Sequence, residues 1–190
     1  MAFISSGGNV IAFAEYQDVT ETDQRVFEAN EGIADETMVE DLTIKATSRI
    51  LQLIRNTSWW RSYYMVEANS SQRQATNTLS TPDVPLPNAD LILGRNADFT
   101  DLCVYFTLYE YLLPKIADFS SQDNAEVVKI GVYRTKFDQL FRELIDDGTW
   151  YDFDASGTIT SQEKLPTRVN LVRTRREQNC YQRLPQQSAH

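Results

Sequence analysis

The chain has 190 residues, 42% of them hydrophobic and 24% charged, with a formal net charge of -9. That is enough to bury one sizeable core with appendages, and too little for two full domains. No stretch approaches the roughly eighteen uncharged apolar residues of a membrane span, and Met1-Ala2-Phe3-Ile4-Ser5-Ser6-Gly7-Gly8 lacks the regions of a secretory signal, so manufacture and assembly in a cytoplasm are expected.

Residues 1–18 carry only Glu15 and Asp18 as charges, beside Val10, Ile11, Phe13 and Tyr16. They read as an N-terminal arm, either extended or a short strand that docks elsewhere. A helical bundle is expected over 19–148. Its first helix is signalled by Thr20 with Asp23 three residues on, a relative of the capping box, and stops at Asn30-Glu31-Gly32. The second is capped by Asp35 and repeats Val39, Leu42, Ala46, Ile50 and Leu53 at helical spacing through Asn56, so one stripe must be buried. Trp59, Trp60, Tyr63 and Tyr64 follow. They suit a core or a subunit interface better than stacking on nucleic-acid bases, because few basic residues accompany them.

From 67 to 97 the chain reads as a long polar loop, with Pro82, Pro85 and Pro87 excluding a helix. A third helix from Asn96 or Asp98 carries Leu102, Phe106, Tyr109, Leu112 and Leu113, with Pro114 kinking or ending it. Cys103 lies in this apolar run and Cys180 in a polar tail, a spacing that suits two free thiols rather than a disulfide or zinc site. The fourth helix spans Ser121 to Asp146, with Gly148 just past its end. The expected fold is therefore mainly α: a bundle of three to four helices with a short β-hairpin and extended N- and C-terminal arms.

The sharpest motif is Asp152 to Glu163, within a unit at 149–163 that reads as a β-hairpin or an EF-hand-like loop. Asp152, Asp154 and Ser156 stand at positions one, three and five of a calcium loop. Gly157 is at six, Thr158 would offer its carbonyl at seven, Thr160 is at nine and Glu163 at twelve. Calcium takes six to eight hard oxygens, which this set approaches. The flanking helices of an EF-hand are missing, since Gly148 ends one early and Pro166 obstructs the other. The competing hairpin pairs Thr149–Phe153 with Thr158–Thr160 across a turn at Asp154-Ala155-Ser156-Gly157.

Residues 164–190 hold Lys164, Arg168, Arg173, Arg175, Arg176 and Arg183 against Glu177 alone, a net of +5. Residues 1–163 hold the other 12 basic and 26 acidic side chains, a net of -14. Such a body repels nucleic acid, while the tail suits an acidic surface or a phosphate backbone. The single histidine, His190, is the last residue and unsuited to the rigid base of a Ser-His-Asp or Cys-His triad. Asp146-Asp147 and Glu110 read as a helix end and a solvated face, so no enzyme is expected.

In succession, several segments resemble the head-to-tail adaptor (connector) proteins of tailed bacteriophages. These are the helix ending Ile50-Leu51-Gln52-Leu53-Ile54-Arg55 before Trp59-Trp60-Arg61, then Tyr109-Glu110-Tyr111-Leu112-Leu113-Pro114-Lys115, and Lys136-Phe137-Asp138-Gln139-Leu140-Phe141. Trp150 to Thr158 and Asn170-Leu171-Val172-Arg173-Thr174-Arg175 complete the series. The resemblance runs over about 18–176. It implies a virion protein of the neck, assembled in the host cytoplasm, with twelve copies in a ring between portal and tail. Its partners would be the portal ring, a tail or other neck protein and its own copies, with genomic DNA passing through unread and no membrane. Arg168, Arg173, Arg175 and Arg176 would bind the portal. No cofactor is required under this reading, and Ca2+ held by Asp152, Asp154, Ser156, Thr158 and Glu163 is the alternative, as a calcium-binding interaction module.

Overall fold

The computed structural model describes residues 3–30, 32, 35–61, 84–119 and 125–159. Chain order begins with two strands, β1 (Ile4–Ser6) and β2 (Asn9–Ala12), paired antiparallel as Ile4 with Ala12, Ser5 with Val10 and Ser6 with Asn9. Gly7 and Gly8 form the two-residue turn at φ 63° and 90°, the positive values that a tight hairpin of matching twist requires. The β element of this mainly α fold therefore lies in the segment expected as an arm. It is fixed to the body, because the Phe13 N–H donates to Thr47 Oγ1 (3.0 Å) and the Phe13 carbonyl accepts from Thr100 Oγ1 (2.8 Å).

Helices α1 (Tyr16–Thr22) and α2 (Gln24–Ala29) take the place of the single first helix. The capping box is Glu15 with Asp18, not Thr20 with Asp23: Thr20 lies inside α1, and Asp23 is the break between the two helices. Helix α3 (Glu36–Asn56) starts as expected, with Asp35 accepting from the Thr37 N–H at 3.1 Å. It buries Val39, Leu42, Thr43, Ala46, Thr47, Ile50 and Ile54, one stripe at helical spacing. Each large aliphatic on it contributes about 2 kcal/mol.

The part of the polar loop that is described, 84–95, packs inward. Val84, Ala89 and Ile92 are buried, and a 3-10 turn forms at Ala89–Leu91. Helix α4 (Asn96–Phe106) runs into a π-helical stretch, Thr107–Leu112, and then α5 (Leu113–Ile116). Pro114 has no N–H to give and its ring crowds the carbonyl four residues back, so the widened turn before it is the accommodation made. Helix α6 (Ala125–Asp147) ends at Gly148, φ 60°. It lies along α4, with Phe106 and Phe137 rings 5.3 Å apart and Tyr105 and Tyr133 stacked at 6.0 Å. Arg95 joins its end to the start of α4, pairing with both Asp98 and Asp147.

Candidate functional site

The loop after α6 is seated on aromatic rings. Trp150 and Trp60 are fully buried, and Trp59 lies 4.9 Å from Trp150 and 5.6 Å from Phe153 between ring centroids. The two buried indoles spend their N–H groups on backbone: Trp60 Nε1 on the Pro85 carbonyl (2.9 Å) and Trp150 Nε1 on the Leu144 carbonyl (2.7 Å). Of the two roles expected of this cluster, core or subunit interface, Trp60 takes the first, and Trp59 is partly buried against the same core. Tyr63 and Tyr64 lie outside the described residues.

Of the two forms expected of 149–163, the described part, 149–159, is a turn-rich loop. A bridge joins Tyr151 to Ile92, with Asp152 N–H on the Leu91 carbonyl (2.9 Å) and Leu93 N–H on the Trp150 carbonyl (3.0 Å). The segment thus pairs with the end of the Pro-rich stretch rather than with Thr158. The physical reason is the Asp152 carboxylate, 1% exposed, which accepts the N–H groups of Ser156 (3.2 Å) and Gly157 (2.7 Å). Gathering those groups winds the chain tightly, with Ala155 at φ 54° and Gly157 at 80°, so Thr158 does not return beside Thr149–Phe153.

Asp152, Asp154, Ser156 and Thr158 are brought together. Asp154 also accepts from the Ser156 N–H (3.0 Å), so two carboxylates converge on one donor. The Ser156 hydroxyl donates to the Thr158 carbonyl (2.9 Å), the oxygen expected to face an ion. Among the described residues, no group of three or more His, Cys, Asp or Glu side chains is placed to hold a metal. The donors are all hard oxygens and so suit calcium rather than a transition metal. Thr160 and the clamping Glu163 lie outside the described residues, as do Arg168, Arg173, Arg175 and Arg176.

Sequence reasoning read Asp23 as a capping residue and missed its buried role. It is 7% exposed and accepts from Lys129 Nζ (2.8 Å) and Tyr133 Oη (3.1 Å), tying the α1–α2 break to α6. Burial, followed by the Asp23 charge and this hydrogen bond, pushes the Tyr133 phenol well above its ordinary value. Cys103 is fully buried, and burial pushes its thiol up to about 11, against weaker opposing bonds such as that from Thr47. Such a thiol is a core residue and a poor nucleophile.

Comparison with family models, with curated proteins and with solved structures finds no match to this chain. Among the described residues no helix is long and apolar enough to cross a membrane.

Proposed function

We propose that the chain is a non-enzymatic structural subunit of a head-to-tail adaptor ring in the neck of a tailed phage. The observation that carries this is the succession along the chain. A capped α3 runs into Trp59-Trp60, α4 passes through a π-helical stretch at Thr107–Leu112 just before Pro114, and the long α6 is closed by an aromatic-seated loop at 150–158. Those segments share one core in the order in which they resemble the adaptor family. A body of net charge -14 would line a channel that offers phosphates no basic partner, so DNA slides without adhering. Twelve basic tails engaging the portal together would multiply a weak single contact. Truncation after Pro166 is expected to abolish capture by the portal ring with helical circular dichroism preserved; undiminished capture overturns the reading.

A second reading, a calcium-binding module, is favoured by the convergence of Asp152 and Asp154 on Ser156. Titration calorimetry with calcium separates the two. Heat at about 10⁻⁴ M that disappears in Asp154→Ala supports the module. No heat at millimolar ion removes it and leaves the adaptor reading intact.

A further inference from the structure

The N-terminal hairpin has two edges, and the fold covers one of them. Ser6 and Asn9 close the Gly7-Gly8 turn as its hydrogen-bonded pair. The next pair, Ser5 with Val10, is therefore a non-bonded one, whose N–H and C=O groups point out of the ladder. The Val10 N–H has this direction: it donates to Asp90 Oδ1 (2.6 Å), so the 3-10 turn at Ala89–Leu91 covers the outer edge of β2. Ser5 turns its own N–H and C=O the opposite way, along the outer edge of β1, where Ser5 and Ser6 are exposed. Among the described residues β1 is paired with β2 alone.

Folded chains commonly guard such an edge with a lysine, a proline or a bulge. Residues 1–14 contain no Asp, Glu, Lys, Arg or Pro, and they are the longest run without a charged side chain in this sequence. The hairpin does carry a bulge, but its extra residue, Ile11, belongs to β2, the strand already covered.

We propose that β1 is the contact surface for a second copy of this chain, the two strands pairing antiparallel about a two-fold axis at Ser5 into one four-stranded sheet.

Self-complementarity selects this occupant. In an antiparallel ladder the hydrogen-bonded pair exchanges both of its N–H···O bonds, so a residue presenting donor and acceptor on one edge is matched by its own symmetry mate. Pairing centred on Ser5 sets Ile4 opposite Ser6 and Phe3 opposite Gly7. Phe3 is already held on the Phe13 ring at 4.8 Å, and the glycine across from it brings no side chain, so the ring can shield that glycine. Charge points the same way. Two bodies of net charge -14 repel each other, and meeting through their uncharged hairpins costs the least. A two-stranded ribbon is also marginal by itself, and widening it to four strands supplies the neighbours it lacks. A two-fold contact closes on itself and does not propagate a ring, so the proposal neither needs the ring reading nor falls with it.

The test is the oligomeric state of the full-length protein, read by sedimentation velocity across a dilution series. Wild type is expected to pass from monomer to dimer as concentration rises. Ser5→Pro removes the outward N–H while leaving the hairpin's own ladder bonds in place, and should weaken the dimer roughly tenfold or more. Ser5→Glu and Ser5→Lys each set like charges face to face at the axis, so each alone should be monomeric, whereas their equimolar mixture should form a mixed dimer. That exchange is specific to position 5 meeting position 5, and it keeps the test decisive should proline disturb the strand. A protein monomeric at every concentration, an association indifferent to Ser5→Pro, or a Glu and Lys mixture that stays monomeric overturns the proposal.

Discussion

Asp23 shows how much one side chain decides here. A carboxylate 7% exposed is tolerated because Lys129 and Tyr133 both donate to it, and together they fix where α1 gives way to α2 and where α6 passes. Removing one partner of such a pair leaves charge without compensation. Lys129 keeps about a third of its side-chain exposure, so the loss is below that of a wholly buried pair. Lys129→Met is expected to cost about 2 kcal/mol in urea unfolding, and Asp23→Ala a similar amount. Adding the two changes together should cost less than their sum, which a double-mutant cycle reads.

Cys103 gives a pH dependence whose sign is fixed by burial. Its thiol sits between the Thr43 carbonyl (3.5 Å) and Thr47 Oγ1 (3.6 Å), and its folded pKa of about 11 lies above the ordinary value of 9.0. The folded state therefore holds the proton more tightly than the unfolded state. The thiol's contribution is complete below pH 9 and is lost as pH rises through about 11, a change of about 3 kcal/mol. Tyr109, pushed up to about 12 by burial and then by Glu110, adds its own loss at higher pH. Comparing wild type with Cys103→Ser at pH 8 and 10.5 isolates the thiol: stability should fall less in the variant.

Among the elements, α3 and α6 were legible because their determinants are local: Asp35 before an acidic turn, apolar residues at helical spacing, Gly148 at the end. The β1–β2 hairpin was less so. Its Gly7-Gly8 turn is a local signal, but its strands gain their stability from Phe13 against Phe99 (5.3 Å) and from the Val10 N–H on Asp90 (2.6 Å), eighty residues away. The break at Asp23 depends on Lys129 in the same way, and the loop at 149–159 turns on a buried carboxylate rather than on strand propensity. The site residues Asp152, Asp154, Ser156 and Thr158 were legible as a set because their spacing alone brings them together; the pairing of Tyr151 with Ile92 was not. Gly148 tests the end of α6 directly. It sits at φ 60°, and an added Cβ would lie 2.7 Å from Trp59 Nε1. Gly148→Ala meets both a left-handed backbone penalty and a displaced ring in the cluster under the loop. We expect a loss of about 2 to 3 kcal/mol by urea unfolding, with the near-ultraviolet tryptophan signal altered.

For the whole molecule, the division of charge is the governing feature. A -14 body repels itself, and salt relieves that repulsion because the screening length falls to about 10 Å at 0.1 M. The +5 of 164–190 opposes the same repulsion, and most effectively when it lies on the acidic face of the fold. Replacing Arg168, Arg173, Arg175 and Arg176 by alanine changes the net charge from -9 to -13. Lost compensation of about 1 kcal/mol corresponds to roughly 2 to 4 °C for a chain of this size. The variant is therefore expected to melt that much below wild type at low salt, and the two curves should converge as salt is raised. A solvated tail that never contacts the body would act only through its diffuse charge, giving a much smaller gap at low salt. A gap that persists undiminished at high salt would instead mark an apolar contribution from Val169, Leu171 and Val172, which separate the arginines. Thermal melts of the two full-length proteins across ionic strength distinguish these cases.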